Sequence, residues 1–336
     1  MHTQRTHWAK AHNIRSGVQH MGTRRMRSLL FAALIIGTAR AQQLPQLSQY
    51  TSNDYLYCHA VAGSRPWFEI RSTHRNQWVG VQDAPRTFML SATSPVGARM
   101  GLGGFIYTDH VGPTRRTGAQ VSYTYHLRLN DRIRLGMGLS FGLQQFLIDG
   151  SKISFRDNHD PVMDNQLRGS LVPDAAFSLL LHHEKWWVGV MVPQLIESRI
   201  AFYDENDQSM STLSRHYYGM AGYRFALGDD FRIEPSVLVK YVDPVPPKFD
   251  LTATLRYKEQ VWLGATYRTN DAMAVMIGYW LKKTFQVGYA YDITTTNLRR
   301  YSNGTHEVML ALTIGKKSAV RSTPPASGAT PPTSAP

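Results

Sequence analysis

The chain has a single cysteine, Cys58, in 336 residues. That excludes an intrachain disulfide framework and a multi-cysteine zinc site. Cys58 also lies well beyond the one apolar leader-like run and follows Tyr57 rather than a small residue, so it is read as a lone thiol and not as a lipidated cysteine. Long apolar runs are missing too. Ser28 to Thr38 is too short to cross a bilayer as a helix, which needs about 20 residues, and nothing after it is longer. No Lys/Arg cluster with interleaved aromatics stands out, so nucleic acid is not an expected partner. A Gly-rich phosphate loop, a nucleophile motif and an internal repeat are all absent, so no enzyme and no cofactor is expected.

Acidic residues are missing from positions 1–41, which carry Arg5, Lys10, Arg15, Arg24, Arg25, Arg27 and Arg40. Without that stretch, 30 basic residues face 24 acidic ones, so most of the formal charge of +13 resides in the leader. Arg24-Arg25-Met26-Arg27, an apolar core and then Ala39-Arg40-Ala41 have the order of a secretory signal peptide, with cleavage expected after Ala41. The 20 residues before Met21 exceed what such a leader needs, so a translation start at Met21 or Met26 is expected, and His2, His7, His12 and His20 are then no metal site.

A long period-two pattern fills much of the remainder. Ala119, Val121, Tyr123, Tyr125, Leu127 and Leu129 alternate with Gln120, Ser122, Thr124, His126 and Arg128. Ile133, Leu135, Met137, Leu139, Phe141 and Leu143 then alternate with Arg134, Gly136, Gly138, Ser140, Gly142 and Gln144. Successive side chains of a strand point to opposite faces, so these are two strands with one greasy and one wet face each. Matching the faces pairs Leu129 with Ile133 and leaves Asn130-Asp131-Arg132 as the turn. Fourteen such strands are expected, at 66–75, 86–94, 99–108, 117–129, 133–147, 171–182, 185–193, 214–227, 231–241, 248–257, 261–268, 272–280, 284–293 and 305–315.

The connections are expected to alternate in length. Odd ones are mostly long, at 76–85, 109–116, 148–170, 194–213, 242–247 and 294–304, with 269–271 the exception. Even ones are short. Closed strands satisfy every backbone amide in hydrocarbon, and short turns on one rim with long loops on the other describe an outer-membrane barrel. Seventeen Tyr and seven Trp suit aromatic girdles at headgroup depth. The fold expected is all-β: a transmembrane barrel of about fourteen antiparallel strands over 65–315, after a 42–64 segment in the periplasm or lumen. A disordered Pro/Ser/Thr-rich tail, 316–336, should follow it. Both termini are expected in the periplasm.

His126, Arg128, Arg134, Asp250, Arg256, Arg268 and Asp292 fall on wet faces and are candidate lumen-lining residues, whether as a channel surface or as mutually compensating charges. Ser122 and His126 share that face, away from the lipid-facing surface where a barrel lipase would work. Asp149, Asp157, Asp160 and Asp164, and Glu197, Asp204, Glu205 and Asp207, fall in two outer loops. Their spacing does not match a calcium loop, so solvated acidic loops are expected there. Leu139→Arg should be costly in lipid, and its neighbour Ser140→Arg tolerated if the lumen is wet.

Several ordered strings resemble the PorP/SprF family of type IX secretion outer-membrane proteins of the Bacteroidota. They are Gln46-Leu47-Ser48-Gln49-Tyr50, Ala62-Gly63-Ser64-Arg65, Arg75-Asn76-Gln77-Trp78-Val79-Gly80 and Ala84-Pro85-Arg86-Thr87. Gly101-Leu102-Gly103, Asp109, Gly112-Pro113-Thr114, Tyr123-Thr124-Tyr125-His126, Leu147-Ile148-Asp149-Gly150 and His306-Glu307-Val308-Met309-Leu310 continue the series. Tyr57-Cys58-His59-Ala60 departs from the usual Asn-Pro-Ala. The resemblance implies a fatty-acid-transporter-like barrel that anchors periplasmic and ring-lipoprotein components or helps export a large secreted adhesin, in gliding species among others. Outer-membrane lipids would surround it. A stand-alone passive transporter for small or hydrophobic solutes is the alternative, and an adhesive surface protein a third reading. Within the resemblance, Arg75, Asn76, Gln77, Trp78, Pro85, Thr87, Asp109, Gly112, Pro113, His306 and Glu307 are candidates for contacting a partner or pinning loops. A rim cluster, with Trp78 in the girdle, is the simpler reading of the first four.

Overall fold

A computed structural model describes residues 45–153, 167–202, 211–282 and 284–315. The expected signal peptide and tail therefore lie outside the described residues, as do Asp157, Asp160, Asp164, Asp204, Glu205 and Asp207. Fourteen strands follow one another: β1 Phe68–Asn76, β2 Arg86–Val96, β3 Met100–Val111, β4 Thr114–Arg128, β5 Arg134–Asp149, β6 Leu167–His182 and β7 Trp186–Val192, then β8, His216–Tyr223 continued by Phe225–Leu227. Next come β9 Phe231–Val242, β10 Val245–Tyr257, β11 Val261–Arg268, β12 Ala272–Leu281, β13 Phe285–Thr294 and β14 Thr305–Ile314. Each pairs antiparallel with its neighbours in sequence, and β1 pairs with β14, so the sheet closes without an edge. Closure leaves no backbone group to face hydrocarbon unpaired. A two-residue ladder, Arg199–Ile200 with Ser211–Thr212, stands apart in the connection after β7.

The register read from the alternation is present. Tyr123 lies opposite Leu139, and the Leu129 amide donates to the Ile133 carbonyl at 3.0 Å. Outward Val121 is 69% exposed, whereas inward Ser122 is 4% exposed. Two connections differ from expectation. β3 and β4 run on to a two-residue turn at Gly112 and Pro113, not a loop over 109–116, and β9 and β10 meet at Asp243 and Pro244, not over 242–247. The reason is that ladder hydrogen bonds hold a strand whether or not its side chains are apolar. Asp109 faces Arg116 across the β3–β4 hairpin, and Gly112 supplies the turn at φ +57°. Three of the seven odd connections are therefore tight, and four are long. Every even connection is short. The two ends of the barrel remain distinct: a long-connection end and a short-connection end.

The largest buried core lies inside the barrel. The segment from Pro45 to Arg65 carries Leu47, Tyr50, Tyr55, Tyr57, Cys58, Ala60, Val61 and Ala62, all buried against inward side chains. Room for it comes from glycine. A Cβ on Gly101 of β3 would stand 2.1 Å from the Ala62 carbonyl oxygen and 2.7 Å from Gly63 Cα, so backbone packs directly on backbone there.

This filled lumen corrects one expectation. Ser140 is fully buried, and its Oγ lies 2.6 Å from His59 Nδ1. Ser140→Arg would collide with the inner segment and is not tolerated. Leu139, 45% exposed on the outer face, keeps its prediction. Leu139→Arg should cost about 2–4 kcal/mol near mid-bilayer and lower the folded fraction on heat-modifiable gels. A folded fraction equal to that of the unaltered protein would mean this face does not meet lipid.

Candidate functional site

The inward positions of β1 are Glu69, Arg71, Thr73 and Arg75, an almost wholly charged row. At its long-connection end Arg75 donates to Asp292 at 2.8 Å, Glu307 at 3.0 Å and Ser48 Oγ at 2.9 Å. Arg268 reaches Asp250 at 3.4 Å and both Asp271 and Asp292 at 3.3 Å, and Lys240 binds Asp250 at 2.7 Å. Three cations and four carboxylates thus form one network, which the inner segment enters directly. The Ser48 and Gln49 amides donate to the Glu307 carboxylate at 2.8 and 2.9 Å, and Ser48 Oγ donates to Asp292 at 2.6 Å.

Down the lumen the contacts become neutral. Tyr55 OH meets Ser122 Oγ at 2.8 Å, and the Ala60 amide donates to Ser178 Oγ at 2.9 Å. Thr124 Oγ1 donates to the His59 carbonyl at 3.2 Å, and His126 Nε2 to that of Ala62 at 2.7 Å. Burial pushes the His59 pKa down to about 3, so its imidazole stays neutral against Ser140. The same burial pushes the Cys58 thiol up to about 12, which leaves it inert. Ser122 and His126 are both engaged by the inner segment, Ser122 through Tyr55 and His126 through the Ala62 carbonyl.

At the short-connection end Arg65 joins Asp54 at 2.6 Å and Glu69 at 3.2 Å, where β1 begins. A cavity of about 950 Å³ opens there, reaching Asp131, Glu184 and Lys282 in the short turns. On its wall Arg224, Arg232 and Arg256 surround Glu234 at 3.4, 2.8 and 2.8 Å. Among the described residues no three His, Cys, Asp or Glu side chains converge as metal ligands would.

The candidate lumen residues divide three ways. Asp250, Arg268 and Asp292 belong to the long-connection network, Arg134 and Arg256 line the opposite cavity, and His126 holds the inner segment. Arg128 joins none of them and is exposed at the end of β4, opposite Arg134. Of the loop-pinning candidates, Arg75 and Glu307 point into the lumen and not at a rim. The Gln77 amide donates to the Pro85 carbonyl at 2.9 Å, and the Trp78 amide to Thr305 Oγ1 at 3.1 Å. Thr87 donates to Asp109 at 2.5 Å, the Gly112 amide to the Asp83 carbonyl at 3.0 Å, and the Asp149 amide to the Pro113 carbonyl at 2.9 Å. Asn76 pairs with His306 across β1 and β14, and His306 Nδ1 meets Tyr289 OH at 2.7 Å. Sequence reasoning missed Glu69, Arg71, Glu234, Lys240 and Asp174. A strict even-or-odd reading of each strand would have found them.

The model of the type IX secretion system membrane protein PorP/SprF family matches residues 39–312. No curated protein matches. Among solved structures, the Ralstonia pickettii toluene transporter TbuX has a TM-score of 0.44 at 9% identity, covering 77% of this chain and 92% of its own. The KdgM porin has 0.36 at 11%, covering 74% and 99%. A Pseudomonas aeruginosa FadL homologue has 0.35 at 10%, covering 74% and 88%. Those likenesses are weak and say nothing of what this lumen does. The family match takes in the inner segment, the network around Arg75 and all but the last two residues of the barrel strands. The chain belongs to the PorP/SprF family of type IX secretion system membrane proteins.

Proposed function

We propose that this barrel works as an outer-membrane accessory of type IX secretion. It anchors ring-lipoprotein and periplasmic components, or assists export of a cell-surface adhesin, and has no catalytic role. The observation that carries the proposal is a family match over nearly the whole barrel in a chain whose own Pro45–Arg65 segment packs inside the lumen. A passive transporter needs a continuous wet path. Here serine, threonine and histidine on the inner wall are spent on hydrogen bonds to that segment. Partner contacts then fall to the ends of the barrel, where the arginine-walled cavity of about 950 Å³ at the short-connection end offers a recess.

Affinity purification of the tagged barrel from native membranes tests this reading. Co-recovery of type IX ring lipoproteins or a large adhesin is the expected result. Recovery of the barrel alone, together with solute uptake into liposomes holding only this protein, would favour the transporter instead.

A further inference from the structure

Among the described residues six carboxylates are buried: Glu69, Asp174, Glu234, Asp250, Asp292 and Glu307. Five have a cation beside them. Arg65 and Arg71 serve Glu69; Arg224, Arg232 and Arg256 serve Glu234; Lys240 and Arg268 serve Asp250; Arg75 serves Asp292 and Glu307. Asp174, on β6 and 3% exposed, has none. Its side-chain contacts are two neutral amides, Gln120 Nε2 at 2.5 Å and Gln144 Nε2 at 2.6 Å, both on Oδ2, and the Ala175 and Gln194 backbone amides lie beside it. Its Oδ1 has no hydrogen-bond partner, and neither has Gln120 Oε1 beside it. Neutral amides orient a carboxylate without neutralising it, and an ionisable group at membrane depth with no counter-charge points to a ligand that supplies one.

These acceptors form one wall of a pocket of about 60 Å³ between the inner segment and the long-connection end. The other walls are Leu47, Leu56, Tyr57, Phe105, Tyr107 and Tyr218. Tyr107 OH is turned away from the vacant acceptors, donating to Gln144 Oε1 at 3.0 Å. At roughly 10–15 Å³ for each water-sized centre, such a space holds about four to six small atoms in a row. One end accepts hydrogen bonds and carries negative charge. The remainder is aliphatic and aromatic, and aromatic faces attract a cation as well as a carbon chain.

We propose that this pocket is a binding site for a small alkylammonium group, its nitrogen on Asp174 Oδ1 and Gln120 Oε1 and its chain among the tyrosines. The source can be a free amine or the side chain of a lysine-bearing peptide; the site chemistry is the same. The site is separate from the ends of the barrel, where the secretion partners are placed above.

The test uses the full chain purified in a non-ionic detergent and titrated calorimetrically with n-butylammonium, n-butanol and butyrate at one ionic strength. n-Butylammonium should bind, n-butanol about tenfold or more weakly, and butyrate not at all, as a charge-assisted hydrogen bond in a dry site implies. Asp174→Asn should weaken n-butylammonium about tenfold or more and leave n-butanol unchanged. If that variant does not fold, the three ligands on the unaltered protein decide alone. An acetyl-lysine peptide against its lysine twin separates the peptide source from the free amine. Equal affinity for amine and alcohol, or an Asp174→Asn protein that binds the amine as before, would overturn the proposal.

Discussion

Arg75→Met is expected to destabilise the folded barrel by about 3–5 kcal/mol, the usual cost of removing one partner from a buried ionic cluster. Methionine keeps much of the side-chain volume, so the loss is electrostatic rather than a cavity effect. Among the described residues Glu307 would keep no cation, and Asp292 would keep Arg268 alone. Both carboxylates are at most 1% exposed, so water does not replace the guanidinium. The inner segment would also lose the donor that Arg75 gives to Ser48. Neutralising the stranded carboxylate should return part of the stability, making Arg75→Met with Glu307→Gln less damaging than the sum of the two single changes. Denaturant titrations of the single and double variants, followed by gel mobility, measure this directly. Strict additivity would mean that the two side chains do not act as a pair.

Gly101→Val is expected to push the inner segment out of place while the barrel survives. At this position any side chain meets backbone on the inner segment, the Ala62 carbonyl carbon at 2.4 Å and its oxygen closer still. No flexible side chain is available to yield, so the segment must move, and its hydrogen bond from His126 goes with it. The ladder of β3 with β2 and β4 involves backbone that a valine leaves intact. Cys58 reports the outcome. It is fully buried, which holds its thiol protonated, and its labelling rate by a small maleimide should rise about tenfold or more in the variant, as local opening costs less. An unchanged rate would mean that the inner segment accommodates the valine.

How far these contacts could be foreseen varied with the kind of physics involved. Lipid on one side imposes a strict period of two, so all fourteen strands and the Tyr123–Leu139 register were legible from side-chain polarity alone. Where polar residues continued a strand, as at Asp109 and Arg116, polarity misled and backbone pairing set the boundary. Arg75 was placed at the rim because Trp78 follows so soon after it, yet Glu69, Arg71 and Arg75 share one parity and therefore one face. The inner segment was the least legible part. It has no period of its own, and its partners lie far off in sequence, with Ser48 and Glu307 separated by 259 positions. The glycines opposite it on β5, Gly136 and Gly138, read simply as non-apolar when they were in fact the space it fills. The same blindness made Ser140 look wet.

The claim on which the rest depends is that the barrel's own chain closes its lumen, and conductance tests it most directly. Unaltered protein in a planar bilayer should show no steady ionic current at moderate voltage, and Gly101→Val under the same conditions should show discrete open events. A stable ohmic conductance from the unaltered barrel, equal to that of the variant, would contradict the account.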